Sequence, residues 1–453
     1  MLKKLDLRGF EGELDTVLPR PSLDDEAPVA LVREILENVR TNGDKALIEL
    51  TLKYDNVDLD SLRVPKDELY GALDMIPRDL RSALEEAREA IAGFHEHSFV
   101  VPSRYEREGI TVDHLVRPVS RAGLYAPGGR AIYPSSVLMC AIPARVAGVA
   151  SLVLCVPPGP NGQIPLPTLA AAALVGVDEV YSIGGAQAVA AMAYGTETID
   201  PVDVIVGPGN KYVSIAKRLV AGVVGIPSAF AGPSEVVVIA DNTIDPEWAA
   251  IDVIVQAEHG PDGLAWLISW QEEVIDSILK VMENQVKNAP RRSEIEATLA
   301  NGGYAVLVDS PAQAVDVANH VAPEHLELAC GDSHILVPAV QNAGAVFCGP
   351  LAPASIGDYL AGPNHVLPTF RSARFSSALG VNDFVRHSHA ISITQKGLER
   401  VAPFVESIAL AEGLDAHAQS VAMRVAGSKL RAEFEEEQVS KSSSGLRFKR
   451  HSG

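Results

Sequence analysis

With 453 residues, the chain is too long for one small core and has room for about two to four domains. Hydrophobic residues at 47% and charged residues at 21% exclude a disordered chain, and aromatics at only 5%, with plentiful Ala, Val and Gly, suit helix-on-sheet layers better than a β-sandwich. The formal net charge of −20 excludes nucleic acid or an anionic membrane as the main partner, because both require a basic surface.

In chain order, the opening MLKKLDLRGF has basic residues with no apolar stretch behind them, so no secretory signal is expected. Residues 1–24, which include Leu-Pro-Arg-Pro, read as an arm outside the core. Over 25–120 the reading is helical: Val29, Val32, Ile35, Leu36 and Val39 recur at helical spacing, as do Leu80, Leu84, Ala87, Ile91 and Phe94. His95 and His97 end an exposed helix on this reading. No run reaches the roughly 18 apolar residues of a membrane span. The most apolar stretch, Ser136 to Ala150, is broken by Pro143 and Arg145. Cys140, Cys155, Cys330 and Cys348 form no CxxC pair and sit among apolar residues, so buried thiols in a reducing, cytoplasmic setting are expected.

From about Leu115 short β-branched runs alternate with Ala-rich helical stretches. SLVLCVPP, EVYSIGG and VDVIVGPGN alternate with LPTLAAAALVGV, AQAVAAMAYG and KYVSIAKRLVAGVVG. That is a βαβ series and predicts a parallel sheet covered on both faces. A second series runs EVVVIAD, the helix DPEWAAIDVIVQAEHG, LAWLISW, two charged helices, YAVLVDS, another helix, HILVP and AVFCGP. The fold class read from this pattern is α/β, with two doubly wound domains over 121–232 and 233–380. A helical segment over 381–435 and a polar, Ser-rich tail over 436–453 follow.

No GxGxxG is present. The nearest loops are Gly184-Gly185-Ala186-Gln187 and Gly207-Pro208-Gly209-Asn210, both at the ends of predicted strands, where open α/β sheets bind ligands. Both also read as plain strand-to-helix turns. Tyr125, before Ala-Pro-Gly-Gly, adds an aromatic that could stack on a nicotinamide or adenine ring.

The second series carries the costlier polar residues. Gln256 and His259 are three apart on one predicted helix that Gly260 ends. Glu324 and His325 follow Pro323 and read as the first turn of a helix, where they fit either an acid/base pair or a pairing with the helix dipole. Ser355 to Pro368 is too rich in Gly and Pro for regular structure and carries Asp358, Asn364 and His365. Glu412 and His417 lie in the C-terminal helices. His259, Asp358 and His417 are ligands zinc accepts, and Gln256 can add a carbonyl oxygen. His387 and His389 alternate like one face of a strand, and His114, His320 and His334 have core or surface readings.

These clusters, preceded by GLYAPGG, GGAQA, VGPGN and AGPSE and followed by GDYLAGPNHVLPT and ARFSSALGV, resemble the histidinol dehydrogenase family over about residues 25–430. The resemblance implies two Rossmann-like domains without GxGxxG, the 25–120 helices packing with the second. It implies zinc held by Gln256, His259, Asp358 and His417, and proton transfer by Glu324 and His325. NAD contacts would come from Tyr125, Gln187 and Asn210. Ser234, Gln256, His259, His325, Asp358, His365, Glu412 and His417 would surround the substrate. The family is homodimeric, with Glu412 and His417 reaching the partner's site. The reaction implied is the four-electron oxidation of L-histidinol through L-histidinal to L-histidine, using two NAD, as the last step of histidine biosynthesis. A relative oxidising another small polyol, such as a sulfonated diol, is the alternative. Glu412, suited to an imidazole N–H and repelling a sulfonate, favours histidinol. Trp266 and Trp270, in a predicted strand where smaller residues are expected, and the basic tail depart from the family pattern.

Overall fold

Residues 1–19, 26–129, 131–227, 234–260 and 263–427 are described by a computed structural model. The tail expected over 436–453 lies outside them, as do Ala231, Gly232 and Pro233 of AGPSE. The chain opens with β1 (Lys3–Asp6) and continues through α1 (Glu26–Asp55), α2 (Lys66–Met75) and α3 (Arg78–Ser98). A hairpin of β2 (Ser103–Arg107) and β3 (Ile110–Pro118) turns on Glu108 and Gly109, both at positive φ, as a two-residue I′ turn requires.

The first α/β series is β4 (Arg121–Tyr125), α4 (Pro134–Ala147), β5 (Ser151–Cys155), α5 (Leu166–Leu174), β6 (Glu179–Tyr181), α6 (Gly185–Tyr194), β7 (Val204–Val206) and α7 (Lys211–Val220). The second begins β8 (Glu235–Ala240), α8 (Pro246–Val255), β9 (Leu264–Ser269), α9 (Glu272–Asn288), α10 (Arg292–Gly302) and β10 (Gly303–Leu307). It continues α11 (Pro311–Val321), β11 (His325–Ala329), α12 (Ser333–Leu336), β12 (Ala345–Cys348) and α13 (Ala354–Tyr359). β13 (Val385–Ile393), α14 (Gln395–Ala411) and a helical stretch over 415–427 follow.

The first series forms a four-stranded parallel sheet ordered β6-β5-β4-β7, and the second lies in a six-stranded parallel sheet ordered β1-β10-β9-β8-β11-β12. Counted within its own series, each has the strand order 3-2-1-4 with which doubly wound sheets begin. The expected α/β class with two Rossmann-like sheets is therefore the observed one. Buried runs such as Val236–Ala240 and Leu152–Cys155 form the central strands, as sheets covered on both faces require.

Several local expectations are corrected. Residues 3–6 are not a free arm: β1 pairs with β10, and Leu2, Leu7 and Leu18 are buried. The 25–120 helices pack on the first series, not the second. Val32, Ile35, Leu36 and Val39 of α1 share a core with Ala186–Ala193 of α6 and with α7, because Ala-rich helices present shallow faces that larger side chains can fill. HILVP folds into α12 and a 3-10 turn, and the strand neighbouring β12 is HLELA instead. The region after Val381 begins with a 3-10 turn and β13 before it becomes helical. His95 is buried, and Cys348 is exposed while the other three cysteines are buried. Trp266 is accommodated by stacking on Tyr304 of the neighbouring strand, ring centroids 4.4 Å apart. No described helix is long and apolar enough to cross a membrane.

The chain divides into two compact units. One comprises Met1–Phe99 and Pro118–Val385 and holds both parallel sheets. The other comprises Val100–Arg117 and the described residues from Arg386 onward. In the second unit β13 joins β3 in a sheet ordered β13-β3-β2. Both His387 and His389 stack on His114, as their alternation implied. Thr394 caps α14 by accepting from the Gly397 N–H, and Arg400 pairs with Glu108.

Candidate functional site

Glu324 and His325 do not start a helix. Ala322, at φ 50°, ends α11 in the left-handed conformation, and the chain then enters β11 between β8 and β12. Pro323 is compatible with either continuation, since its fixed φ also suits extended backbone. Burial of the whole HLELA run in a parallel sheet decides for the strand. The pair thus sits at the N-terminal edge of the six-stranded sheet, beside Ser234 and Glu235 at the start of β8.

The backbone of Glu235 holds both residues. Its N–H donates to Glu324 Oε2 at 2.9 Å, and its carbonyl lies 3.1 Å from His325 Nδ1. A carbonyl only accepts, so Nδ1 carries a proton, and Nε2 is the ring nitrogen that gains or loses the second one. That Nε2 is buried, has no hydrogen-bond partner, and lies 3.4 Å from Asp358 Oδ1, too loosely aligned to bond. Burial opposes charging of His325, but the Glu324 and Asp358 carboxylates outweigh it and raise its pKa well above the usual value. Asp358 shows the converse. Burial alone would raise it, and the His325 ring, with His365 and His259 farther off, holds it below the usual carboxylate range.

Asp358 is on α13, a short helix inside the stretch expected to be irregular, and the remainder of that stretch is loop. Its Oδ2 accepts from Gln256 Nε2 at 3.3 Å, and its carbonyl oxygen lies 2.9 Å from His365 Nδ1. Gln256 and His259 are not on one helix: α8 ends at Val255, Gln256 caps it, and a 3-10 turn carries on to His259. Gln256 is buried and His259 exposed.

Two buried carboxyls reinforce this edge. Glu235 accepts the Phe370 N–H at 3.0 Å, and burial pushes its pKa up to about 8. Glu327 accepts the Ala354 N–H that opens α13, and burial, with Asp252 beside it, pushes it up to about 8. Glu235, Glu327, Tyr133 and Ser136 were not singled out from the sequence. A charged residue opening a buried strand, as Glu235 does in EVVVIA, was the available signal.

The loops expected to meet NAD gather at the C-terminal edge of the four-stranded sheet. Tyr125 ends β4, Gln187 lies in α6, and Asn210 caps α7 by accepting from the Tyr212 and Val213 N–H groups at 3.0 and 3.1 Å. Tyr125 is 3% exposed and its hydroxyl accepts the Gly185 N–H at 3.1 Å, so it braces the turns at this edge. Gly207, at φ 110°, is required: a Cβ there would strike the Tyr125 carbonyl oxygen. Buried Lys217 donates to the Gly207 carbonyl from α7.

The chain segment after β4 connects the two edges. Tyr133 stacks on His259 at 6.2 Å between centroids, Ser136 Oγ lies 3.3 Å from His365 Nε2, and Asn364 Nδ2 donates to the Met139 carbonyl at 2.6 Å. Ser234, Gln256, His259, Glu324, His325, Asp358 and His365 thus lie on one edge, next to the helix that leaves the Tyr125 turn. Glu412 and His417 belong to the second unit. Among the described residues no group of three or more His, Cys, Asp or Glu is gathered closely enough to hold a metal.

A family model described as histidinol dehydrogenase matches residues 18–425. The chain is 47% identical over 422 residues to a histidinol dehydrogenase of Synechococcus sp., covering 91% of this chain and 96% of that protein. It is 44% identical over 421 residues to one of Hydrogenovibrio crunogenus, with 92% and 97% covered. Among solved structures, the histidinol dehydrogenase of Elizabethkingia anophelis matches with a TM-score of 0.89 at 36% identity, covering 94% of this chain and 99% of that one.

Proposed function

The chain belongs to the histidinol dehydrogenase family, and from that premise we propose how its residues share the NAD-linked oxidation of histidinol. The activity is that of a histidinol dehydrogenase, an oxidoreductase of histidine biosynthesis, and its setting is the cytoplasm. The observation that carries the residue assignment is the pair Glu324–His325, buried and braced by one backbone, with His325 Nε2 left facing Asp358.

His325 Nε2 takes the hydroxyl proton of histidinol as hydride leaves the carbinol carbon. Glu324 then activates water on the aldehyde, and the hydrate that forms loses the second hydride. Tyr125, Gln187 and Asn210 would hold NAD, which when bound would supply the hydride acceptor for each stage. Ser234, His365 and Glu412 orient the substrate. The expected result is two NADH for each histidinol consumed and none from a panel of sulfonated diols. Turnover of a diol at the histidinol rate would reassign the substrate.

Zinc would be held by Gln256, His259, Asp358 and His417. The donor set fits a borderline cation: Gln256 and Asp358 already touch, and the Asp358 carboxylate is held ionised. Gln256 presents an amide that offers either end by turning about its last torsion. When bound, zinc supplies positive charge for the amino and imidazole nitrogens of the substrate. Exhaustive chelation should abolish turnover and leave the far-UV CD spectrum unchanged, since neither parallel sheet contains these four side chains. Metal analysis completes the test, because full-strength zinc in His259→Asn would remove His259 from the set.

The family is homodimeric, and the second unit supports the same for this chain. Phe404 and Ile408, four apart on α14, are 65% and 62% exposed, and Ile391 of β13 is 73% exposed, apolar side chains that a second copy would cover. On this reading Glu412 and His417 complete the partner's site.

A further inference from the structure

The turn at Thr369–Phe370–Arg371 has two successive non-glycine residues in the left-handed region, Phe370 at φ 54° and Arg371 at φ 63°. Side chains rarely adopt this conformation, and it persists only where surrounding contacts over-determine it. From the sheet, Glu235 reaches into the turn, and its Oε1 accepts the Phe370 N–H at 3.0 Å. Glu235 is 2% exposed, so its carboxyl could not turn to water instead.

The other end of this loop meets the substrate region. Asn364 is tied to the Met139 carbonyl, His365 lies between Asp358 and Ser136, and the Leu379 N–H donates to the Val366 carbonyl. The loop is therefore fixed at 364–366 by α4 and α13, and at 370 by Glu235. That same Glu235 gives its backbone N–H to Glu324 and faces its carbonyl to His325. One residue at the start of β8 thus fixes the acid/base pair through its main chain and the His365 loop through its side chain.

We propose that Glu235 is a positioning residue, a strut that holds the strained 369–371 turn and so sets the His365 loop in register with Glu324 and His325. The role rests on the reading above that His365 lies against the substrate. What the turn requires of position 235 is a buried acceptor of the right length, which glutamine retains and methionine, of similar volume, lacks.

The test compares Glu235→Gln with Glu235→Met in the full-length enzyme. Two things are measured: amide hydrogen exchange over 364–371, and KM for histidinol and for NAD separately. In Glu235→Met, exchange should rise across 364–371, and KM for histidinol should rise about tenfold with KM for NAD within about twofold, since displacing a positioning group acts on the substrate it positions. Glu235→Gln should stay within about threefold of wild type on both. Glu235→Ala gives the same contrast should methionine not be accommodated. Unchanged exchange in the methionine variant would overturn the strut. Increased exchange with an unchanged histidinol KM would overturn the positioning role and place the fault in the assignment of His365 to the substrate. Equal damage in both variants would also overturn the proposal, because an acceptor alone would then not suffice.

Discussion

Glu324→Gln is expected to oxidise histidinal about 10²–10⁴-fold more slowly than the wild-type enzyme, with a smaller loss in the first oxidation. Glutamine can still present an oxygen to the Glu235 N–H that now binds Glu324 Oε2, so the side chain should stay in place. What it loses is the capacity to take a proton from water, and only the second stage needs that. His325→Asn differs. The asparagine amide can replace Nδ1 as a donor to the Glu235 carbonyl, but nothing replaces the lone pair of Nε2. Both stages should then slow, again by about 10²–10⁴-fold. Stopped-flow measurement of NADH with supplied histidinal separates the two variants. Wild-type histidinal oxidation by Glu324→Gln would falsify its role in activating water.

Mixing His259→Ala with His417→Ala, each inactive alone, is expected to restore roughly a quarter of wild-type activity. His259 belongs to the unit with both parallel sheets and His417 to the unit built from β2, β3, β13 and the C-terminal helices. If the second unit serves the partner's site, a mixed dimer has one site with both lesions and one with neither. Random exchange makes about half the dimers mixed, which gives the quarter. If His417 serves its own subunit, every site has one lesion and mixing restores nothing. Mass-tagged chains establish that exchange has occurred, and no recovery after proven exchange would return His417 to its own subunit.

The two α/β series were legible because their strands are β-branched runs bounded by Gly and Pro, a local signal. HLELA was not. Pro-Glu-His reads as a helix start, and only its place between β8 and β12 makes it a strand, a case of tertiary context overriding a local pattern. KKLD has no β-branched residue, so nothing local marks β1 before its partner at Gly303–Leu307 is known. Gln256, Asp358, Glu324 and His325 were legible as polar groups expensive to bury, and the fold groups all four on one sheet edge. The part of Glu235 was not legible, because two of its three contacts are made by the main chain, which every residue possesses. Nor was the burial of Tyr125 legible: its place at the end of a central strand faces it into the core.

The pairing of β1 with β10 also bears on biogenesis. Lys3 donates to the Asn301 carbonyl across 298 positions, so a ribosome that has made β1 must add nearly three hundred residues before its neighbour exists. At about 5–20 residues per second that delay is on the order of tens of seconds. Until then β1 has no strand to pair with, while the four-stranded sheet, all of whose strands lie between Arg121 and Val206, can already close. The nascent chain thus passes through a stage with one sheet assembled and the other waiting for its edge, the stage at which a chaperone would find apolar surface to hold.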